Sequence, residues 1–241
     1  VIEADPLGRA ILDYQRGGLR GDCVYRDGAE TRDGNIEGHY FASREDWRDE
    51  WRTLLASLEP PVVDIGCGSG QHAEFLQERG EVVAIDVSPG AVEATRNRGV
   101  EDVRVMDMFE MDFRPDRFRS ALLSGTQLGL AHSLAGVRRF LSELARITDE
   151  EGVAVVDNYD PTDLAPDDLL GYGSDPRRGI AHRTFHFEYD RDGEREVGRT
   201  LHFVLFSPER LRDVTVGTPW HVAEVQSREG FYKAVLRKET R

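Results

Sequence analysis

The sequence predicts an α/β fold built on a mostly parallel sheet, and three observations carry that expectation. From residue 62 onward, short apolar runs of strand length recur: VVDI (62–65), VVAID (82–86), VRVMD (103–107), SALLS (120–124) and VAVVD (153–157). Between them lie stretches with helical spacing. One opens at Ser88-Pro89, a serine cap with proline at the first helical position, and another at Ser133, after which Leu134, Val137, Phe140, Leu141, Leu144 and Ile147 share one face. Near the end, WHVAEVQ (220–226) and FYKAVLRK (231–238), joined through Glu229-Gly230, alternate as an antiparallel pair. Strands separated by helices are joined by crossovers and run parallel, covered on both faces. With the terminal pair the sheet reaches seven strands, the last of them antiparallel.

At 241 residues the chain accommodates one such domain with decorations. Residues 1–58 are expected to form a leading, helical cap segment. It is polar at first, with Gly17-Gly18 and turn signals at Asp27-Gly28 and Asp33-Gly34. A helix is expected from about Ser43, where Trp47, Trp51, Leu54, Leu55 and Leu58 recur at helical spacing until Pro60-Pro61 stops it. Residues 59–241 hold the sheet. After its fifth strand, 160–180 reads as a loop rich in Pro, Gly and Asp. HRTFHFEYD (182–190) and VGRTLHFVLF (197–206) then alternate around an Asp192-Gly193 turn, predicting an inserted β-hairpin at about 182–206. Such a hairpin either roofs a site, extends the sheet or makes a dimer contact. Ser207-Pro208-Glu209 starts a short helix.

Composition narrows the partners. Asp plus Glu is 45 against 31 for Lys plus Arg, a net charge of −14, and Lys233 and Lys238 are the only lysines. An acidic surface repels phosphate backbones, so nucleic acid is not the expected partner. Scarce lysine with abundant carboxylate fits a protein adapted to a salt-rich, halophilic interior; arginine bias from a GC-rich genome gives the same pattern. The leading VIEADPLGRA lacks the pattern of a secretory signal, and no apolar run reaches the ~20 residues of a membrane span, so a cytoplasmic location and no membrane partner are expected. Cys23 and Cys67 lack metal-ligand spacing, and none of the seven histidines forms a ligand pair, so no metal site is expected. Oligomeric state is not legible.

The chemistry concentrates at strand ends. Asp64-Ile65-Gly66-Cys67-Gly68-Ser69-Gly70 lies between a strand and a helix, where glycines let the backbone turn sharply and let a ligand touch main chain. Asp86 ends the next strand, where a carboxylate accepts from both ribose hydroxyls of a nucleoside, or simply caps the following helix. A dinucleotide fingerprint needs glycine where Gln71 stands, which speaks against a nicotinamide-dependent oxidoreductase. Asp107 is either a ligand contact or a turn former. Cys67, with no basic neighbour in sequence, reads as a packed side chain.

Together VVDIGCGSGQHAEFLQERG, VVAIDVS and VRVMDMFE resemble the first three motifs of the class I, Rossmann-like S-adenosylmethionine-dependent methyltransferases, over about residues 61–158. The resemblance implies S-adenosylmethionine as cofactor: Asp64 and the Gly66, Cys67, Gly68, Gly70 loop on the methionine portion, Asp86 on the ribose, Asp107 on the adenine amino group, Val87 and Met108 flanking the ring, and Ser124 at the next strand end. The run Ser124-Gly125-Thr126-Gln127-Leu128-Gly129 lacks the Asn/Asp-Pro-Pro-aromatic tetrapeptide of nucleic-acid amino-methyltransferases and resembles small-molecule N- and O-methyltransferases. The partner expected is a small-molecule methyl acceptor. Tyr40, Gln127 and Arg183 are its expected contacts, and His132, Tyr159 and Asp160 are the candidates should a proton have to leave. A non-catalytic S-adenosylmethionine-binding module would carry the same cofactor motifs.

Overall fold

The computed structural model describes residues 4–239, so the first three residues of the leading segment and the last two of the chain lie outside it. The central sheet has seven strands: β3 (Val62–Ile65), β4 (Val82–Asp86), β5 (Asp102–Val105), β6 (Phe118–Leu123), β7 (Thr148–Tyr159), β12 (Trp220–Arg228) and β13 (Phe231–Lys238). Their order is β12-β13-β7-β6-β3-β4-β5. Strands β3 to β7 pair in parallel, and β13 is antiparallel to both β7 and β12. The chain moves outward from β3 through β4 to β5, then returns to β6 on the other side of β3. This reversal opens a crevice at the carboxyl ends of β3 and β6, the place where open α/β sheets bind ligands.

Both faces of the sheet are covered, which is why its strands read as near-continuous apolar runs. Odd positions such as Val63, Ile65, Ala121 and Leu123 pack under α6 (Leu134–Ile147) and α7 (Pro208–Thr215). Even positions such as Val62, Ala84 and Leu122 pack under α3 (Asp49–Ala56), α4 (Gln71–Gln77) and α5 (Pro89–Asn97). Ser88 and Ser133 cap α5 and α6 as their sequence predicts, each accepting a hydrogen bond from a first-turn N–H.

A second sheet stands over the carboxyl edge. Its spine is β9 (Ile180–Arg191). The first half of β9 pairs with β11 (Leu201–Phe206) on one side and β8 (Tyr172–Ser174) on the other. The second half pairs with β10 (Glu194–Val197) and with β1 (Cys23–Asp27), which continues to β2 (Glu30–Asp33). This sheet is rooted on the central one: Asn158 Nδ2 donates to Val204 O at 3.3 Å, and the Tyr232 hydroxyl to Phe206 O at 2.9 Å.

Three sequence expectations are corrected. The leading segment is helical only in part: besides α1 (Pro6–Gln15), α2 (Ile36–Tyr40) and α3 it holds the β1–β2 hairpin, whose β1 pairs with β9. The helix expected from about Ser43 starts at Asp49. The second arm of the inserted hairpin is not continuous, because Gly198–Thr200 interrupts it between β10 and β11.

Candidate active site

The loop after β3 folds as glycine permits. Gly66, Gly68 and Gly70 have φ of 76°, 56° and 79°, the left-handed region that side chains disfavour. Gly66 and Gly68 also lie beneath side chains: an added Cβ on Gly66 would stand 2.7 Å from Gln127 Oε1, and one on Gly68 would stand 3.1 Å from the Tyr40 ring. The Ser69 hydroxyl donates to Tyr40 O and Gln71 Nε2 to His39 O at 3.0 Å, so α2 is fastened across the loop.

Asp86 joins loop and strand. Its Oδ2 accepts from Gly68 N at 3.0 Å and its Oδ1 from Ser88 N at 2.9 Å. Burial raises its pKa, against the pull of these N–H groups. Asp64 is 2% exposed and its Oδ2 has no hydrogen-bond partner. Burial, with Asp86 nearby, pushes its carboxyl up to about 7, while the Ala73 N–H pulls the other way. An orphaned carboxylate oxygen beside a glycine cradle is a demand for a donor or a cation, and a ribose diol suits Asp86. The residues fit a nucleoside that carries a cationic amino-acid tail.

A cavity of about 270 Å³ brings several predicted residues together: Gly66, Asp86, Val87, Asp107 and Met108 line it, with Gln127, His132 and the Arg199–His202 approach to β11. Of the two residues expected to flank adenine, Val87 is 48% exposed and Met108 8%, and both line this cavity. Asp107 also accepts from Phe109 N at 2.9 Å, so the turn role and the lining role coexist. Cys67 is buried against Thr95 and its thiol is pushed up by burial, as expected of a packed residue rather than a nucleophile.

The loop after β6 is held from below by Asp157, which the sequence reading passed over as the last residue of a strand. Its carboxylate is 2% exposed and accepts from Thr126 N at 2.6 Å, Gly125 N at 3.0 Å and Ser124 Oγ at 3.3 Å, with Lys233 Nζ at 3.3 Å. Lys233 lies 3.9 Å from the centre of the Trp51 ring, and the Trp51 indole donates to His72 Nε2 at 3.3 Å. Burial, helped by Lys233 and Arg98, lowers the His72 pKa to about 3 and keeps the ring neutral as an acceptor. A charged residue closing an apolar strand at the carboxyl edge was the signal for Asp157. Ser124 thus faces Asp157, and Gln127 is the member of this run that reaches the glycine loop.

The remaining candidates separate. His132 lies at the cavity mouth, exposed, with its ring 6.2 Å from that of His202. Tyr159 is half-buried, 5.1 Å from the Phe231 ring, and burial raises its phenol. Asp160 is turned into its own loop: one oxygen accepts from both Thr162 N and Thr162 Oγ1, at 2.9 and 2.7 Å. Like Tyr159, it does not line the cavity. Arg183 projects from β9 among the rings of Tyr25 and Phe185. No group of three or more His, Cys, Asp or Glu able to hold a metal occurs among the described residues.

Known proteins bear on this geometry. Residues 62–152 match the model of a family described as a methyltransferase domain. An 18S rRNA (guanine-N(7))-methyltransferase from Mus musculus is 40% identical over 60 residues, which is 24% of this chain and spans only 21% of that relative. A Bacteroides fragilis S-adenosylmethionine-dependent methyltransferase, solved with S-adenosyl-L-homocysteine, superposes with a TM-score of 0.80 at 24% identity, covering 99% of this chain and 96% of that one. A sugar N-methyltransferase from Streptoalloteichus superposes at 0.60 with 19% identity, covering 89% and 97%. Residues 62–152 therefore match a methyltransferase domain, set in a chain with the fold of S-adenosylmethionine-dependent methyltransferases.

Proposed function

We propose that the protein transfers the methyl group of S-adenosylmethionine to a nitrogen or oxygen atom of a small molecule held between the carboxyl edge of the central sheet and the second sheet. The observation that carries this reading is the roof: the approach to β11 closes over the same cavity that Gly66 and Asp86 floor. When bound, the cofactor supplies a methyl group already activated on a sulfonium. The chain's part is then to align the acceptor and keep water away.

In this reading Asp86 takes the ribose hydroxyls, Val87 and Met108 sandwich the adenine, Asp107 faces its amino group, and Asp64 with the glycine loop receives the methionine end. Gln127 and Tyr40, both pressed on that loop, border the point of transfer. A neutral amine acceptor needs no base in the transfer itself. Where a proton must leave, Tyr159 and His132 are the groups at hand, Tyr159 on the acceptor side and His132 at the cavity mouth.

The net charge of −14 supports a metabolite over a nucleic acid, and the Streptoalloteichus neighbour is itself an N-methyltransferase of a sugar. The test is incubation with methyl-labelled S-adenosylmethionine and a metabolite extract, read by mass spectrometry. A labelled small molecule supports the reading. Tight cofactor binding with no labelled product from any extract would favour a sensor instead.

A further inference from the structure

The inward face of the second sheet poses a charge problem. Along β9 the side chains alternate, and Phe185, Phe187 and Tyr189 point inward with the cross-strand partners Leu201, Tyr25 and Cys23. Arg183 belongs to the same inward row, opposite Phe203. Its guanidinium lies 4.5 Å from the centre of the Phe185 ring and 5.3 Å from that of Tyr25.

Three other arginines of this sheet are paired with carboxylates. Arg26 pairs with Glu188 at 2.8 Å, Arg191 with Asp13 at 2.6 Å, and Arg195 with Asp190 at 2.8 Å. Arg183 has no carboxylate within 4.0 Å among the described residues, in a chain where acids outnumber bases 45 to 31. Its polar neighbours are the Tyr25 and Tyr159 phenols and the like-charged Arg32. One interaction fixes its direction: Nε donates to Leu170 O at 3.0 Å, leaving the two terminal nitrogens as a fork. A cation half-removed from water and unpaired lowers stability unless a ligand completes it.

The fork lies beside the cavity rather than in its wall: Leu201, which lines the cavity, is the cross-strand partner of Phe185. Tyr159 ends β7 at the carboxyl edge. His39, which feels the Arg183 charge, immediately precedes Tyr40, the residue lying on Gly68. We propose that the methyl acceptor is an apolar or aromatic carboxylic acid, its carboxylate held by the Arg183 guanidinium and its body against Tyr25. A planar carboxylate matches a two-nitrogen fork, and one negative charge suits one cation inside a strongly acidic protein better than a phosphate dianion does.

The proposal rests on the methyl-transfer reading, so the test separates the two. Binding of phenylacetate, its neutral isostere phenylacetamide and phenyl phosphate is measured by calorimetry, with and without saturating S-adenosylhomocysteine. The wild type is expected to bind phenylacetate about 10- to 100-fold tighter than phenylacetamide. Arg183→Gln should abolish that preference and Arg183→Lys retain part of it. Both variants should keep wild-type S-adenosylhomocysteine affinity and thermal unfolding, which reports an intact fold. Equal binding of acid and amide, no binding of phenylacetate, a preference that survives Arg183→Gln, or tighter binding of phenyl phosphate would each overturn the proposal. Failure of the wild type to bind S-adenosylhomocysteine would instead overturn the methyl-transfer reading, whatever the acid–amide ratio.

Discussion

Gln127 lies across Gly66 so closely that a Cβ there would meet its amide oxygen at 2.7 Å and its amide nitrogen at 2.8 Å. The loop that ends β3 and the loop that follows β6 are thus one layer. Gly66→Ala is expected to destabilise the protein by about 1–2 kcal/mol from the left-handed backbone alone, with an added steric part. Adding Gln127→Ala should return the steric part and leave the backbone part. Urea titration of both single variants and the double variant measures this coupling, and purely additive effects would contradict it.

Asp86 gives a prediction for the cofactor. Asp86→Ala removes the acceptor proposed for the ribose and releases Gly68 N and Ser88 N from their anchor. Affinity for S-adenosylhomocysteine should fall about 10-fold or more per lost charge-assisted bond, by calorimetry. An unchanged dissociation constant would remove Asp86 from the site.

Asp64 gives a pH dependence. Its folded-state pKa of about 7 is raised above the ordinary 3.8, so the folded state holds its proton at pH values where the unfolded chain has lost it. The sign follows: this contribution is present below about pH 4 and is lost as pH rises towards 7. In Asp64→Asn the loss disappears. The stability of the variant relative to wild type should therefore grow between pH 4.5 and 7.5, reaching on the order of a few kcal/mol in the cofactor-free protein. Parallel melts of the two proteins across this range check it, and a constant difference would disprove it.

Asp157 links three backbone and side-chain donors of the β6 loop to Lys233. Asp157→Ala strands a partly buried ammonium and frees the loop, and should destabilise the protein by on the order of 3 kcal/mol. Asp157→Asn keeps some of the acceptors and should destabilise less. Both should lower turnover more than cofactor affinity, since Asp86 keeps its bonds to Gly68 N and Ser88 N.

Charge gives a prediction for the whole molecule. If the acidic excess reflects adaptation to salt, the melting temperature should climb between 0.1 and 1 M potassium chloride, as the screening length falls from ~10 Å to ~3 Å. A flat response would leave compositional bias as the explanation.

Much of this architecture was legible because it is local. Strands β3, β4, β6 and β7 are buried on both faces and declare themselves as apolar runs, and Ser88, Ser133 and Ser207 announce helix starts they do cap. What escaped is what depends on distant partners. CVYRD and ETRD are half-exposed or exposed, with no apolar run; the first becomes a strand because β9 offers it an edge, and the second by pairing with the first. The glycine loop and Asp86 were readable as a motif, yet Asp157 and Lys233 were not. Each is a single charged residue ending or interrupting an apolar strand, and only their pairing across β7 and β13 gives them a role. Arg183 was legible only as a polar contact for the acceptor, and its aromatic surroundings come from the pairing of β9 with β1 and β11; Asp160 was drawn in by its place at the carboxyl edge and closes its own turn.

The pairing of β1 with β9 also fixes an order of assembly. Arg26 and Glu188, bonded across that pair, are 162 residues apart in the chain. Closing a loop of that length carries a large entropic penalty that local pairings avoid, and during synthesis β1 has no edge to join until β9 has emerged. The strand–helix units from β3 to β7 need no such wait. The nucleoside end of the pocket can therefore mature while the first thirty or so residues still search for their place. Amide exchange should show the same hierarchy, with β1 and β2 opening well before β3 and β4.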